Sequence, residues 1–497
     1  MELTLLLPAG DAARLNRNPL LKAVRTGRTR SATRRIVWHD GPDRPLAARG
    51  QALAEEKGVW RLEQHLPAPL DPWPPATDHR LIEEAATRDE LTEPRPDTLV
   101  PVAAFDGRRT IWALTIDGEP VSLTLLDGVL RAVAAERPVT RVILNGADAP
   151  VRSLLLSLAE VLPLDVPRHS LAVEALSLAD GTVPNPRRSG APAIAPHGLT
   201  IDSAFAHILG HLTDVLLTLA PLIVDSATGP EPVHRMRVAV RRARSAISLF
   251  QPLLDSPALM RASQGLRTLG QILGPARDWD VFMTETVPPV EAALPEQTGL
   301  GTLSHAGNRR RRAARAALGT WLSGPDFRLL TLDLACLAAA IPVSPDLPVP
   351  DLPAPDLPVP DLPVPDLPSL AEFAAHSLRR RWKKVISTGR SLEGLDNPGL
   401  HGLRLKAKRL RYAAEFFAPL FPEKAAARFI RRLSVLQERL GVFNDTTVAE
   451  ALSREINATP GYAAGLILGF TAARGAGIKP KIAAAWARFR RRDPFWL

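Results

Sequence analysis

The chain of 497 residues is 45% hydrophobic and 23% charged, long enough for two or three domains with buried cores. It carries a net charge of +10 and one cysteine, Cys336. A lone cysteine excludes a disulfide framework and any multi-cysteine metal site, and it fits a reducing compartment. The opening MELTLLLPAGDAARL has no basic stretch ahead of its apolar run, so no signal peptide is expected. The longest apolar stretch, near GYAAGLILGF (461–470), reads as too short to span a bilayer. The expectation is a soluble cytoplasmic protein with no membrane partner.

Taken in chain order, the first part is rich in short β-type runs: RRIVWHD, GVWRLEQHL, RTIWALTIDGEPVSLTLLDGVL and TRVILNG. Asp117-Gly118 reads as a hairpin turn between two strands, and APVRSLLLSLAEVL as a helix. Residues 1–180 are therefore expected to form an α+β, barrel-like domain. The stretch 181–199 is rich in Pro and Gly and reads as a linker. From residue 200 to 497 apolar residues recur at spacings of three and four, which predicts an all-α domain. That pattern breaks at 342–370, where PDLPVPDLPAPDLPVPDLPVPDLPSL places Asp346, Asp351, Asp356, Asp361 and Asp366 five residues apart. Proline at this density excludes helix and predicts an extended or disordered spacer. A second reading makes it an acidic tether that competes weakly for a basic surface.

The charge is unevenly divided. Residues 1–200 hold 24 Lys+Arg against 25 Asp+Glu, which leaves 38 against 27, or +11, for residues 201–497. An excess confined to one region points to a polyanionic partner: nucleic acid, a membrane surface or a phosphate polymer. A merely solubilising surface is the bland alternative.

The helical region repeats itself. VHRMRVAVRRARSAISLF (233–250) aligns with LHGLRLKAKRLRYAAEFF (400–417) at an offset of 167, matching His234 to His401, Arg237 to Arg404, Arg241 to Lys408, Arg242 to Arg409, Arg244 to Arg411 and Phe250 to Phe417. Gly274 and Asp278 match Gly441 and Asp445 at the same offset, so the domain is a duplication with halves at about 200–340 and 371–497. At about 100° per residue, His234, Arg237, Arg241 and Arg244 form one row, as do His401, Arg404, Lys408 and Arg411. Met236, Val240, Ala243, Ile247 and Phe250 form the adjoining core face. Like charges three and four apart cost a few tenths of a kcal/mol per pair. Rows that rise about 5 Å per member suit a linear phosphate chain, and guanidinium forks suit its oxygens. Base readout would call for exposed aromatics and amides, and only Tyr412 adjoins a basic row. Nucleic acid is expected as a weak, nonspecific partner only. Arg309 to Arg312 and Arg379 to Lys384 are further basic runs that either line the same surface or form a solvated face.

These motifs resemble the CHAD family, the conserved-histidine α-helical domain. Its duplicated four-helix unit carries His-x-x-Arg-x-x-x-Arg/Lys-Arg/Lys-x-Arg helices and Leu-Gly-x-x-Arg/Asn-Asp segments. The resemblance implies binding of inorganic polyphosphate by His234, Arg237, Arg241, Arg242, Arg244, Arg277, His401, Arg404, Lys408, Arg409 and Arg411, with polyphosphate granules as one expected location. The histidines are read equally as phosphate contacts or as residues that orient the arginines, with pKa values lowered by the neighbouring cations. Asp278 and Asp445 are read as helix caps or arginine anchors.

The first 180 residues more faintly resemble the CYTH (triphosphate-tunnel) family. An active member needs alternating acids for metal and alternating cations for triphosphate. Here the opening strand keeps only Glu2, the Leu-Arg-x-Arg position reads LAEE with Glu55 and Glu56 reversing the charge, Arg141 replaces an acid, and Asp127 is retained. The expectation is a non-enzymatic polyphosphate binder with a degenerate barrel, no catalytic residues, no metal and no cofactor. A metal-dependent triphosphatase or polyphosphatase is the first alternative and a nonspecific nucleic-acid binder the second.

Overall fold

The computed structural model describes residues 1–64, 79–81, 98–182, 190–192, 194, 199–225, 229–252, 254, 256–339, 368–456, 461–475, 477–491 and 494–497. The linker reading at 181–199 and the spacer reading at 342–370 fall largely outside these residues. The strands are β1 (Glu2–Leu6), β2 (Arg30–Asp40), β3 (Gln51–Glu56), β4 (Val59–Gln64), β5 (His79–Leu81), β6 (Val100–Ile116), β7 (Glu119–Ala132) and β8 (Glu136–Gly146). The helices are α1 (Ala12–Asn16), α2 (Pro19–Val24), α3 (Pro45–Ala48), α4 (Asp148–Ala159), α5 (Leu171–Ala179), α6 (Ile201–Val224), α7 (Glu231–Phe250), α8 (Pro257–Val281), α9 (Val287–Ala293), α10 (Thr298–Leu322), α11 (Pro325–Ala339), α12 (Leu370–Gly389), α13 (Asn397–Phe417), α14 (Glu423–Ile456), α15 (Tyr462–Gly475) and α16 (Ile478–Arg490). They divide between two compact units, one of Met1–Ser189 with Leu209–Leu217 and Pro325–Val343, the other of the remaining chain.

In the first unit all eight strands pair antiparallel in the order β1-β8-β7-β6-β2-β3-β4-β5, an open half-barrel. The β6–β7 hairpin turns at Asp117 (φ 52°) and Gly118 (φ 85°), the two positive φ values that match the twist of a hairpin and that an Asp-Gly pair tolerates. Period-two alternation separates two cores. Leu3, Leu5, Leu123, Leu125, Val142 and Leu144 pack against Leu154, Leu155 and Leu158 of α4 and against Leu332, Ala335 and Cys336 of α11. Trp38, Ala54, Phe105, Leu126 and Leu130 on the opposite face pack against Ala172, Ala175 and Leu176 of α5. The sequence reading placed α11 in the first helical half, whereas its contacts and its compact unit are those of the sheet.

The second unit shows the duplication. In the first half α7 packs on α8 and α8 on α10; in the second α13 packs on α14 and α14 on α16; and α7 meets α13. Phe250 and Phe417, the matched residues of the repeat, are fully buried with ring centroids 6.0 Å apart. Phe373 and Phe205 lie 5.1 Å from Phe250 and complete an aromatic centre. The halves differ where α8 passes through a π-helical turn (Phe282–Thr286) into α9, while α14 runs unbroken for 34 residues. Pro288 and Pro289, absent from the second half, remove two helical N–H donors there. After the proline tract, Ser369 and Glu372 form a reciprocal capping box that starts α12.

Among the described residues one helix, Ile201–Val224, is long and apolar enough to cross a membrane, which corrects the reading of 461–470 as the longest apolar stretch. Its most apolar window is 67% buried within the fold, as expected of a core helix.

Candidate polyanion-binding site

The site is built on α7 and α13. Met236, Val240, Ala243, Ile247 and Phe250 on α7, and Leu403, Ala407, Leu410 and Phe417 on α13, are buried. That packing fixes the rotation of both helices and so aims the basic rows. His234, Arg237, Arg241 and Arg242 become half-buried and Arg244 exposed; Arg404, Lys408 and Arg411 become half-buried and His401 and Arg409 exposed.

Tertiary structure brings the two rows together. The Lys408 ammonium is pushed down to about 7, first by burial and then by Arg241, Arg404, Arg237 and Arg411 around it. Arg241 is lowered by burial and by Arg237, Arg404 and Arg411, with Tyr412 acting the other way. Five cations from both halves thus share one partly desolvated neighbourhood. Asp278 approaches it at 3.8 Å from Arg237, and burial raises its carboxyl despite the surrounding arginines. Asp278 sits within α8 and Asp445 within α14, so the expectation of helix caps is corrected: neither is at a helix start. The anchoring reading survives for Asp278.

At the flank, Glu415 accepts from Arg242 at 2.9 Å and pairs with Arg411 at 3.5 Å. Both guanidiniums also lie over the Tyr412 ring, at 5.7 and 5.5 Å. Tyr412 is itself only 3% exposed, so it offers no open face to a base. Arg277 pairs with Glu285 at 3.2 Å and stands beside His234. The His234 pKa is lowered, as the sequence implied, but burial leads and the charge of Arg277 follows.

A stripe on α8, of which the sequence reading had only Arg277 as a site residue, continues the site. Arg267, Gly270, Gly274 and Arg277 recur at three and four residues, and a Cβ on Gly274 would stand 3.2 Å from Arg237 Nη1. A Cβ on Gly270 would meet Arg244 Nη1 at 3.7 Å. The glycines leave room for guanidiniums to lie along α8. The signal was present in the sequence as small residues spaced between two arginines. Arg244 is lowered by burial and by Arg267 and Arg409, and Arg381 of α12 falls to about 10 through burial beside Arg380 and Arg409. One member of the RRRWKK run therefore joins the cluster. In the second half Ser434 occupies the place of Arg267, 3.5 Å from Arg411, so the halves are not equally charged.

Of the other basic run, Arg309, Arg310 and Arg312 are exposed and only Arg311 turns to the core, joined there by Arg315. Arg311 and Arg315 donate to Asp280 at 2.7 and 2.9 Å, and Asp280 is wholly buried. In the half-barrel, Glu56 is held by Arg34 at 2.7 and 2.8 Å, and Glu55 accepts from the Gly58 amide in the β3–β4 turn. Arg141 is buried against Glu174 of α5 at 2.7 Å. Asp127 accepts from Thr140, and Glu2 from Asn145 at the sheet edge. Among the described residues no group of three His, Cys, Asp or Glu is placed to hold a metal ion.

The CHAD domain family profile matches residues 201–454, about half of the chain, and the chain belongs to that family. Among solved structures it resembles the CHAD domain of the plant Ricinus communis, 27% identical, with 62% of this chain and 98% of that chain covered and a TM-score of 0.49. PptA from Streptomyces chartreusis is 15% identical over 58% of this chain and 100% of its own, with a TM-score of 0.44. HpAC1 from Hippeastrum, described as having a dominant triphosphatase activity, is 13% identical over 37% of this chain and 96% of its own, with a TM-score of 0.27. No curated protein matches the sequence. A CYTH-like N-terminal half-barrel is consistent with the observed sheet.

Proposed function

We propose that the helical unit binds inorganic polyphosphate along the basic rows of α7 and α13, without breaking it down, in the cytoplasm or at polyphosphate granules. The observation that carries this reading is the meeting of Arg237, Arg241, Arg404, Lys408 and Arg411 in a partly buried neighbourhood. Bringing like charges together out of water is unfavourable in the empty protein. A polymer with regularly spaced anionic oxygens, lying between the helices, reverses the sign of that energy and offers the guanidiniums further acceptors. His234, His401, Arg244, Arg277 and Arg409 extend the track. Burial of Tyr412 favours a polymer without bases over nucleic acid.

A metal-dependent triphosphatase is the second reading. Against it stand the internal ion pairs of the half-barrel, where Arg34 and Arg141 are already engaged by Glu56 and Glu174. Calorimetry with long-chain polyphosphate, with and without magnesium, and with released phosphate assayed in the same samples, tests both readings. Binding without release is expected. Magnesium-dependent release would restore the enzyme reading, and displacement of the polymer by excess DNA would sink the polyphosphate reading.

A further inference from the structure

The half-barrel encloses a cavity that the polyphosphate reading does not use. Alternate residues of successive strands line it: Thr4 of β1, Arg34, Ile36 and Trp38 of β2, Ala54 and Glu56 of β3, Arg61 and Glu63 of β4, Leu126 of β7, and Arg141 and Ile143 of β8. The segment from Pro167 to Leu171 closes one side. Much of the wall is therefore aliphatic or aromatic.

The polar groups are unbalanced toward donors. The indole Nε1 of Trp38 and the Nε and Nη1 of Arg141 are buried and have no hydrogen-bond acceptor among the described residues. Trp38 is 1% and Arg141 2% exposed, so water does not freely serve these donors. Arg61 Nε is in the same position. On the acceptor side, Glu56 is occupied by Arg34 and Arg61. Burial raises Glu63 to about 7, partly opposed by Arg61, so its negative charge at neutral pH is reduced.

The apolar lining separates this cavity from a triphosphate site. Glu56 is shared by Arg34 and Arg61, and Glu174 by Arg141 and Arg137, so the acids offset only part of a positive charge to which Arg109 also adds. The aliphatic and aromatic lining suits one anionic group on an apolar body and not a chain of charges. We propose that the half-barrel cavity binds a small organic anion, a single carboxylate on an apolar body, with the carboxylate at Arg141 and Trp38 and the body against Ile36, Leu126, Ile143 and Leu171. An apolar pocket with a few convergent polar groups is the usual form of a small-molecule site.

The full-length protein is titrated calorimetrically with benzoate, alone and with equimolar tripolyphosphate. Arg141→Met removes the anion contact; Ile143→Phe fills the cavity and leaves every charge in place. Saturable benzoate binding is expected, at least tenfold weaker in each variant and undisturbed by tripolyphosphate, which is free to occupy the helical unit. Ile143→Phe decides the matter if the Arg141 variant does not fold. Absence of benzoate binding by the folded wild type, equal binding by Ile143→Phe, or displacement by tripolyphosphate would each overturn the proposal.

Discussion

Lys408 makes polyphosphate affinity depend on pH in a window where few other groups change. In the empty protein its ammonium is pushed down to about 7, by burial first and by four neighbouring guanidiniums next. Phosphate oxygens beside it would favour the charged form and raise the pKa toward its ordinary value of about 10.4. If the polymer takes only the charged lysine, observed affinity follows the protonated fraction of the empty site. That fraction is about one half at pH 7 and about one hundredth at pH 9, so affinity falls about 50-fold across the window. Internal groups of long polyphosphate stay ionised throughout, and His234, lowered below 6.5, titrates beneath the window. Binding measured at pH 7, 8 and 9 at constant ionic strength is compared between wild type and Lys408→Met. The variant should bind with a shallow pH dependence and meet the wild type near pH 9. A flat wild-type profile, or an equal slope in Lys408→Met, refutes the argument. The same linkage acts on stability. Between pH 7 and about 10.4 the unfolded lysine holds more protons than the folded one, so unfolding free energy rises with pH across that range. The wild type should therefore gain more melting temperature from pH 7 to 9 than Lys408→Met does.

Other substitutions separate binding from folding. Arg241→Gln should remove much of the polyphosphate affinity while the melting temperature holds or rises, because repulsion from Arg237, Arg404 and Arg411 is relieved; a large drop would mean that the row is structural. Gly274→Ala should add up to about 1 kcal/mol of helix stability yet weaken binding several-fold, since its methyl pushes on Arg237 Nη1, 3.2 Å from the added Cβ; unchanged affinity would show that Arg237 does not position the polymer. Asp280→Asn leaves Arg311 and Arg315 without their buried carboxylate and should cost about 3–5 kcal/mol by chemical denaturation, with affinity of the folded protein unaltered.

Much of this was legible along the chain. A constant offset of 167 exposed the duplication, and helical spacing sorted Met236, Val240 and Phe250 into the core and Arg237 and Arg241 onto a row, because both are local properties of a 3.6-residue helix. Asp117-Gly118 named its own turn, since few residues tolerate two successive positive φ values. Pairing between distant segments was not legible. Nothing local says that α11 packs with the sheet, that Arg311 and Arg315 serve Asp280, or that Glu56 holds Arg34, because each partner lies 22 to 35 residues away or in another element. Nor does either row alone announce its energetics. Only when Phe250 and Phe417 bring α7 against α13 do Arg241 and Lys408 share one desolvated neighbourhood, and the Lys408 pKa belongs to that encounter. Sequence determined which residues face together along one helix; tertiary structure decided which faces meet, since burial and Coulomb energy depend on distances that only the fold sets.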